Sequence, residues 1–114
     1  MTLRQQRRIK RNDTSPPLRA QIVNASNGQP LDLTGATVRF HMVDEDGALS
    51  VDAAALIEAP ETNGIVRYDW AAGDTANAGH FDAEFEITLL GGAKETHPQG
   101  GFIQVHILED LDGG

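Results

Sequence analysis

The sequence predicts an all-β domain, a two-sheet antiparallel sandwich, and three observations carry that expectation. Apolar and polar residues alternate with a period of two through most of the chain, the pattern of strands buried on one face only. Turn-forming pairs interrupt the alternation at Asn27-Gly28, Asn63-Gly64 and Gly91-Gly92, as in a succession of strand-to-strand connections. Cysteine is absent from the 114 residues, so neither a disulfide framework nor a thiolate metal site can substitute for a core, and apolar burial must hold the fold. A chain of this length supports one modest core, hence one domain.

The elements follow in order. A short strand is expected near residues 8–10. Leu18, Ala20 and Ile22 alternate with Arg19 and Gln21 just after Pro16-Pro17, which predicts the first well-defined strand. Val38, Phe40 and Met42 alternate with Arg39 and His41, and the polar run Asp44-Glu45-Asp46-Gly47 closes that strand as a turn. Residues 51–59 have the intrinsic propensity for two helical turns; strands on both sides favour reading residues 54–59 as a strand instead. Val66, Tyr68 and Trp70 alternate with Arg67 and Asp69 beyond Asn63-Gly64. The longest pattern is Phe81, Ala83, Phe85, Ile87 and Leu89, interleaved with Asp82, Glu84, Glu86 and Thr88. It predicts a strand buried on one face and acidic on the other. Ile103, Val105 and Ile107 alternate with Gln104 and His106 as the last strand.

About seven or eight strands in roughly 100 residues is the density of an immunoglobulin-like sandwich. Its core is expected from Leu18, Ile22, Leu33, Val38, Phe40, Val66, Tyr68, Phe81, Phe85, Ile87, Val105 and Ile107. The cysteine pair and intervening tryptophan of antibody domains are absent, so the architecture rests on strand count and spacing, and a small barrel stays open as an alternative.

Charge is unevenly placed. Arg4, Arg7, Arg8, Lys10 and Arg11 are five of the nine basic residues, with no acid among the first eleven positions. The remainder sets four basic residues against all 17 acids. The division expected is a basic N-terminal arm (1–11), a sandwich (12–108) and an acidic C-terminal tail (109–114). An acidic body repels phosphate, which disfavours nucleic acid as a partner. The arm, too polar to order itself, is expected to be mobile in the free protein and to settle on an acidic protein surface. Asp82, Glu84 and Glu86 of a neighbouring copy are candidates for that surface, since arginine forks bind carboxylates in a bidentate way. No apolar run approaches the ~18 residues that cross a bilayer.

Chemistry finds little support in the spacing. His41, His80, His97 and His106 lie in four separate segments without i, i+2 or i, i+4 ligand spacing, so no metal is expected, although pairing across strands would bring two of them together. The run Asp44 to Gly47 lacks the alternating ligands and distant glutamate of an EF-hand. Asp82, Glu84 and Glu86 place three carboxylates on one strand face, whereas glycoside hydrolysis needs two across a cleft, one kept protonated by burial; an exposed ladder that opposes edge-to-edge aggregation or meets a basic partner is the simpler reading. Ser15, Ser26 and Ser50 sit in turn-like contexts outside any nucleophile elbow. No glycine-rich phosphate loop precedes a helix. The expectation is a protein that is not an enzyme and takes no cofactor.

Four local patterns occur in order: Ile9-Lys10-Arg11-Asn12-Asp13-Thr14; Leu31-Asp32-Leu33-Thr34-Gly35-Ala36-Thr37-Val38-Arg39-Phe40; Asn63-Gly64-Ile65-Val66-Arg67-Tyr68; and Ala72-Gly73-Asp74-Thr75 through Ala78-Gly79-His80-Phe81-Asp82-Ala83-Glu84-Phe85. As a set they resemble the N-terminal domain family of the phage baseplate upper protein, an immunoglobulin-like module of tailed-phage structural proteins, over about residues 8–108. The resemblance implies a structural component of the particle, in tail, baseplate, neck or head, assembled in the host cytoplasm. Its partners would be other phage structural proteins, met in a symmetric multi-copy arrangement away from any membrane. The alternative is a carbohydrate- or receptor-binding adhesion module. The family often has glycine where Asn12 stands and tyrosine where Phe81 stands. Asparagine tolerates positive φ, while phenylalanine lacks a hydroxyl that could tie a loop to its strand. Within the second pattern, Leu31 and Leu33 are expected to plug the sandwich edge while Asp32 and Thr34 bond nearby backbone amides.

Overall fold

The computed structural model describes residues 5–111. Nine strands run through them: β1 (Gln5–Lys10), β2 (Leu18–Gln21), β3 (Thr37–Val43), β4 (Leu49–Ala54), β5 (Leu56–Ile57), β6 (Ile65–Tyr68), β7 (Gly79–Thr88), β8 (Lys94–His97) and β9 (Ile103–Leu108). The larger sheet has the order β1-β9-β7-β3-β4, with β8 also paired to β7; the smaller has the order β2-β6-β5. The two sheets face each other as an immunoglobulin-like sandwich. Among the described residues no helix is long and apolar enough to cross a membrane.

The strand β7 organises the larger sheet. One side pairs along its length with β3, from Thr37 opposite Thr88 to Val43 opposite Asp82. Its other side is shared: β9 takes Gly79 to Ala83 and β8 takes Phe85 to Thr88. Strict alternation makes Phe81, Ala83, Phe85 and Ile87 inward and buried. All twelve expected core residues are buried, joined by Ile9, Ala20, Met42, Val51, Trp70, Ala83 and Ile103. Across the sandwich Phe40 stacks on Tyr68, and Trp70 meets both rings edge-on.

Four expectations need correction. The first is the extent of the arm, since the short strand expected near residues 8–10 is present but starts by Gln5. Gln5–Lys10 forms a parallel strand on β9, in register from Gln5 opposite Ile103 to Lys10 opposite Leu108, and the Arg11 amide continues the ladder to the Leu108 carbonyl at 2.7 Å. A segment this polar is ordered because β9 supplies its hydrogen-bond partners and Ile9 enters the core, while Arg8 and Lys10 stay in water on the outer face of an edge strand. The sandwich therefore begins by Gln5, and residues 1–4, Arg4 included, lie outside the described residues. The second is the sheet pattern, which this parallel pair makes mixed rather than purely antiparallel.

The third concerns residues 54–59. The chain breaks at Ala55, whose amide bonds the Val38 carbonyl at 2.9 Å. It leaves the larger sheet as β4 and enters the smaller one as β5, so one expected strand is two. The fourth is Asn63-Gly64, which ends a 3-10 turn (Glu61–Asn63) rather than forming a two-residue hairpin. Gly64 sits at φ 69, and a Cβ there would lie 2.5 Å from the Ile22 carbonyl oxygen. Only glycine tolerates both the angle and that approach.

Candidate assembly surface

The four sequence patterns meet in two pairs, and each pair is spent on holding the sandwich together. At one end, Asn12 occupies the left-handed region at φ 69, the conformation that glycine or asparagine accepts at little cost. Its amide donates to the Thr75 carbonyl at 3.0 Å, and the buried Thr75 hydroxyl donates to the Asp13 carbonyl at 2.7 Å. The first pattern is thereby fastened to the fourth. The same loop is tied to the core by Asp74, whose carboxylate accepts from the Tyr68 hydroxyl and from the Ala71 amide. Burial, then the Asp74 carboxylate, pushes the Tyr68 hydroxyl well above the usual phenol range. The tether that Phe81 cannot make is supplied by Tyr68.

At the other end, Leu33 is fully buried, and its amide bonds the Glu61 carbonyl at 3.0 Å. Asp32 accepts from the Thr34 hydroxyl at 2.6 Å and the Thr34 amide at 3.0 Å, and those bonds hold its carboxyl below the usual range. The Ile22 amide donates to the Gly64 carbonyl at 2.7 Å, and the Leu31 amide to the Ile22 carbonyl at 2.9 Å. The second pattern thus packs on the third. Leu33 plugs the edge and Asp32 caps the turn, as the sequence suggests, while Leu31 is only half-buried.

The basic residues singled out from the sequence divide by strand phase. Arg7 lies on the inward phase of β1 and spans the two sheets, its guanidinium donating to the Arg19 carbonyl at 3.1 Å. Arg11 lies 3.7 Å from Glu109. Arg8 and Lys10 are exposed on the outer face, opposite His106 and Leu108 of β9. The two that remain on show are therefore Arg8 and Lys10.

Asp82, Glu84 and Glu86 occupy the outer face of β7, which has strands on both sides. A role in guarding a sheet edge is ruled out by that central position. Their neighbours are partly cationic: Glu84 is opposite His41, while Glu86 is opposite Arg39 and 3.9 Å from the Lys94 ammonium. Asp52 of β4 extends this patchwork, bonded to Arg39 at 2.9 Å and His41 at 3.1 Å. The Arg39 hydrogen bond above all draws the Asp52 carboxyl downward. Asp82 faces Gln104 and Val43 instead.

A feature that spacing alone could not locate lies between the basic and acidic groups. His80 of β7 and His106 of β9 are register partners whose rings stack 4.1 Å apart at 19°. The signal was their shared outward phase; the pairing of β7 with β9, far apart in sequence, decided the contact. Beside them opens a cleft of about 560 Å³ lined by Asp44, Glu45, Asp46, Asp74, His80 and Phe81 among others. Glu45 reaches His80, accepting from its backbone amide at 3.3 Å. Among the described residues no three of His, Cys, Asp or Glu are grouped to hold a metal ion.

No curated protein matches this chain in sequence. Among solved structures, CopC from Methylosinus trichosporium OB3b superposes with a TM-score of 0.54 at 11% identity, over 95% of this chain and 86% of that one, a likeness of fold. The family model of the BppU N-terminal domain matches residues 2–108, which takes in all four patterns and every strand. The chain therefore belongs to the BppU N-terminal domain family, the family of the phage baseplate upper protein.

Proposed function

We propose that this domain is a protein–protein assembly module of a tailed-phage particle, built into the virion in the host cytoplasm and working without catalysis. The observation that carries the reading is the extent of the family match: residues 2–108 leave almost nothing of the chain outside a baseplate module. The geometry supports it, because the shared patterns are consumed in closing the two ends of the sandwich. Exposed charge of both signs lies on the outer face of the larger sheet. Contacts with neighbouring structural proteins fall on that face, where Arg8 and Lys10 lie on one side of the stacked histidines and the acidic Asp44–Asp46 turn on the other.

The adhesion alternative is less well served. Sugar sites present aromatic platforms, and of the six aromatic residues five are buried, leaving Phe102 about half exposed at 51%. The decisive experiment is mass spectrometry and cryo-electron microscopy of purified particles. The chain is expected at fixed stoichiometry with its larger sheet against another structural protein; particles that lack it would overturn the reading.

A further inference from the structure

One row of the larger sheet is ordered by charge. Register places Arg8 of β1 opposite His106 of β9, and His106 opposite His80 of β7. Beyond β7, Glu45, in the turn two residues past the end of β3, accepts from the His80 amide. The row therefore reads cation, imidazole, imidazole, carboxylate, across three inter-strand gaps of about 4.8 Å each. Lys10, one pleat beyond Arg8, and Asp46, in the turn beside Glu45, extend the two poles. Among the described residues Arg8, Lys10, Glu45 and Asp46 form no ion pair, so their charges remain open to a partner.

Such a row is complementary to itself. A two-fold axis lying in the plane of contact, parallel to the strands and midway between β9 and β7, exchanges its two ends. Arg8 of one copy then faces Glu45 of the other, and Lys10 faces the turn that carries Asp46. His106 faces His80, and Gln104 faces Asp82, an amide against a carboxylate. Every such pair occurs twice, as an isologous contact requires. Sheets pack face to face with their strands nearly aligned, and an axis parallel to β9 and β7 keeps that alignment. No other axis in that plane does as well: one running across the strands would set Arg8 against Arg8.

We infer that this face is a self-association surface, and that its partner is a second copy of this chain related by that two-fold axis. The inference goes beyond the assembly role, which requires only some neighbour in the particle. A cationic ligand at the histidine pair is disfavoured by Arg8 beside it, and a polyanion by the acidic turn on the other side. Only a surface with the same two poles, reversed, satisfies both.

Sedimentation equilibrium on the full chain tests it. At about 50 mM salt a reversible dimer is expected, weakening as salt rises to about 500 mM and the screening length falls from about 14 Å to about 4 Å. Arg8→Glu and Glu45→Arg should each weaken dimerisation at least about tenfold, because each reverses a pair that occurs twice. The double variant, with both charges exchanged, should return to within a few-fold of the parent. Far-ultraviolet circular dichroism and melting confirm that each variant is folded, which these exposed positions allow. A monomer at about 0.5 mM protein in low salt, which places Kd above the millimolar range, overturns the inference. So does a dimer indifferent to Arg8→Glu, or a folded double variant that fails to recover. A monomer that still enters particles would overturn self-association and leave the assembly reading intact.

Discussion

Phe40 of β3 stacks on Tyr68 of β6 with ring centroids 4.4 Å apart and planes 12° from parallel, so that one aromatic pair joins the two sheets. Phe85 and Trp70 close around Phe40 at 5.2 and 5.7 Å. Phe40→Ala should therefore cost about 3–5 kcal/mol, a large share of a small domain's stability. Phe85→Ala should cost the same, and the half-exposed Phe102→Ala within about 0.5 kcal/mol of nothing. Urea unfolding monitored by fluorescence of the single tryptophan measures all three.

Tyr68→Phe keeps the stack and removes only the hydroxyl bonded to Asp74. The expected loss is about 1.5–3 kcal/mol, the range for a hydrogen bond to a charged group. There is one tyrosine in the chain, so ultraviolet titration follows it alone. Its ionisation is raised in the folded state from an ordinary value of 10.0. The protonated form is the one the fold favours, so this contribution is complete below pH 10 and is lost as pH rises above it. Phenolate absorbance appearing near pH 10 before unfolding would contradict the buried tether.

Gly64→Ala forces a Cβ against the Ile22 carbonyl oxygen and strains a φ of 69. Backbone, not a movable side chain, is what it meets. A destabilisation of about 1–3 kcal/mol or more is expected, against at most a few tenths for Gln99→Ala on the surface. Thermal melting distinguishes the two.

Deleting residues 1–11 removes β1 from β9 and Ile9 from the core. The melting temperature should fall by about 10 °C or more, since Ile9→Ala alone is worth about 2–5 kcal/mol. An unchanged melting curve for the truncated chain would show that β1 adds nothing to the sandwich.

Burial, and then the nearby Arg7 guanidinium, lower the His97 pKa from its ordinary 6.5. The neutral imidazole is the form the fold favours, so its contribution is present above pH 6.5 and lost as pH falls through the depressed folded value. Stability should decline between pH 7 and the onset of carboxylate protonation, and His97→Asn should flatten that decline. Urea midpoints at intervals of half a pH unit test the slope; a steeper decline in His97→Asn would reverse the sign.

The sequence by itself determined the fold class, the inward face of nearly every strand and the family. These are local properties: period-two alternation assigns Phe81, Phe85 and Ile87 to one face wherever β7 happens to lie. Patterns such as Leu31 to Gly35 carry their own turn chemistry. Only the tertiary structure decided what adjoins what. Gln5–Lys10 read as a polar arm with at most a short strand near residues 8–10, because its hydrogen-bond partners lie in β9, about 100 residues away. Asp82, Glu84 and Glu86 looked like an edge guard because strand order, which makes β7 central, leaves no mark on a single strand's sequence. His80 and His106 became neighbours, with Arg8 on one side and Glu45 on the other, through the register of β1, β9, β7 and β3. Side-chain periodicity states which face a residue takes, and long-range pairing alone states its companions on that face.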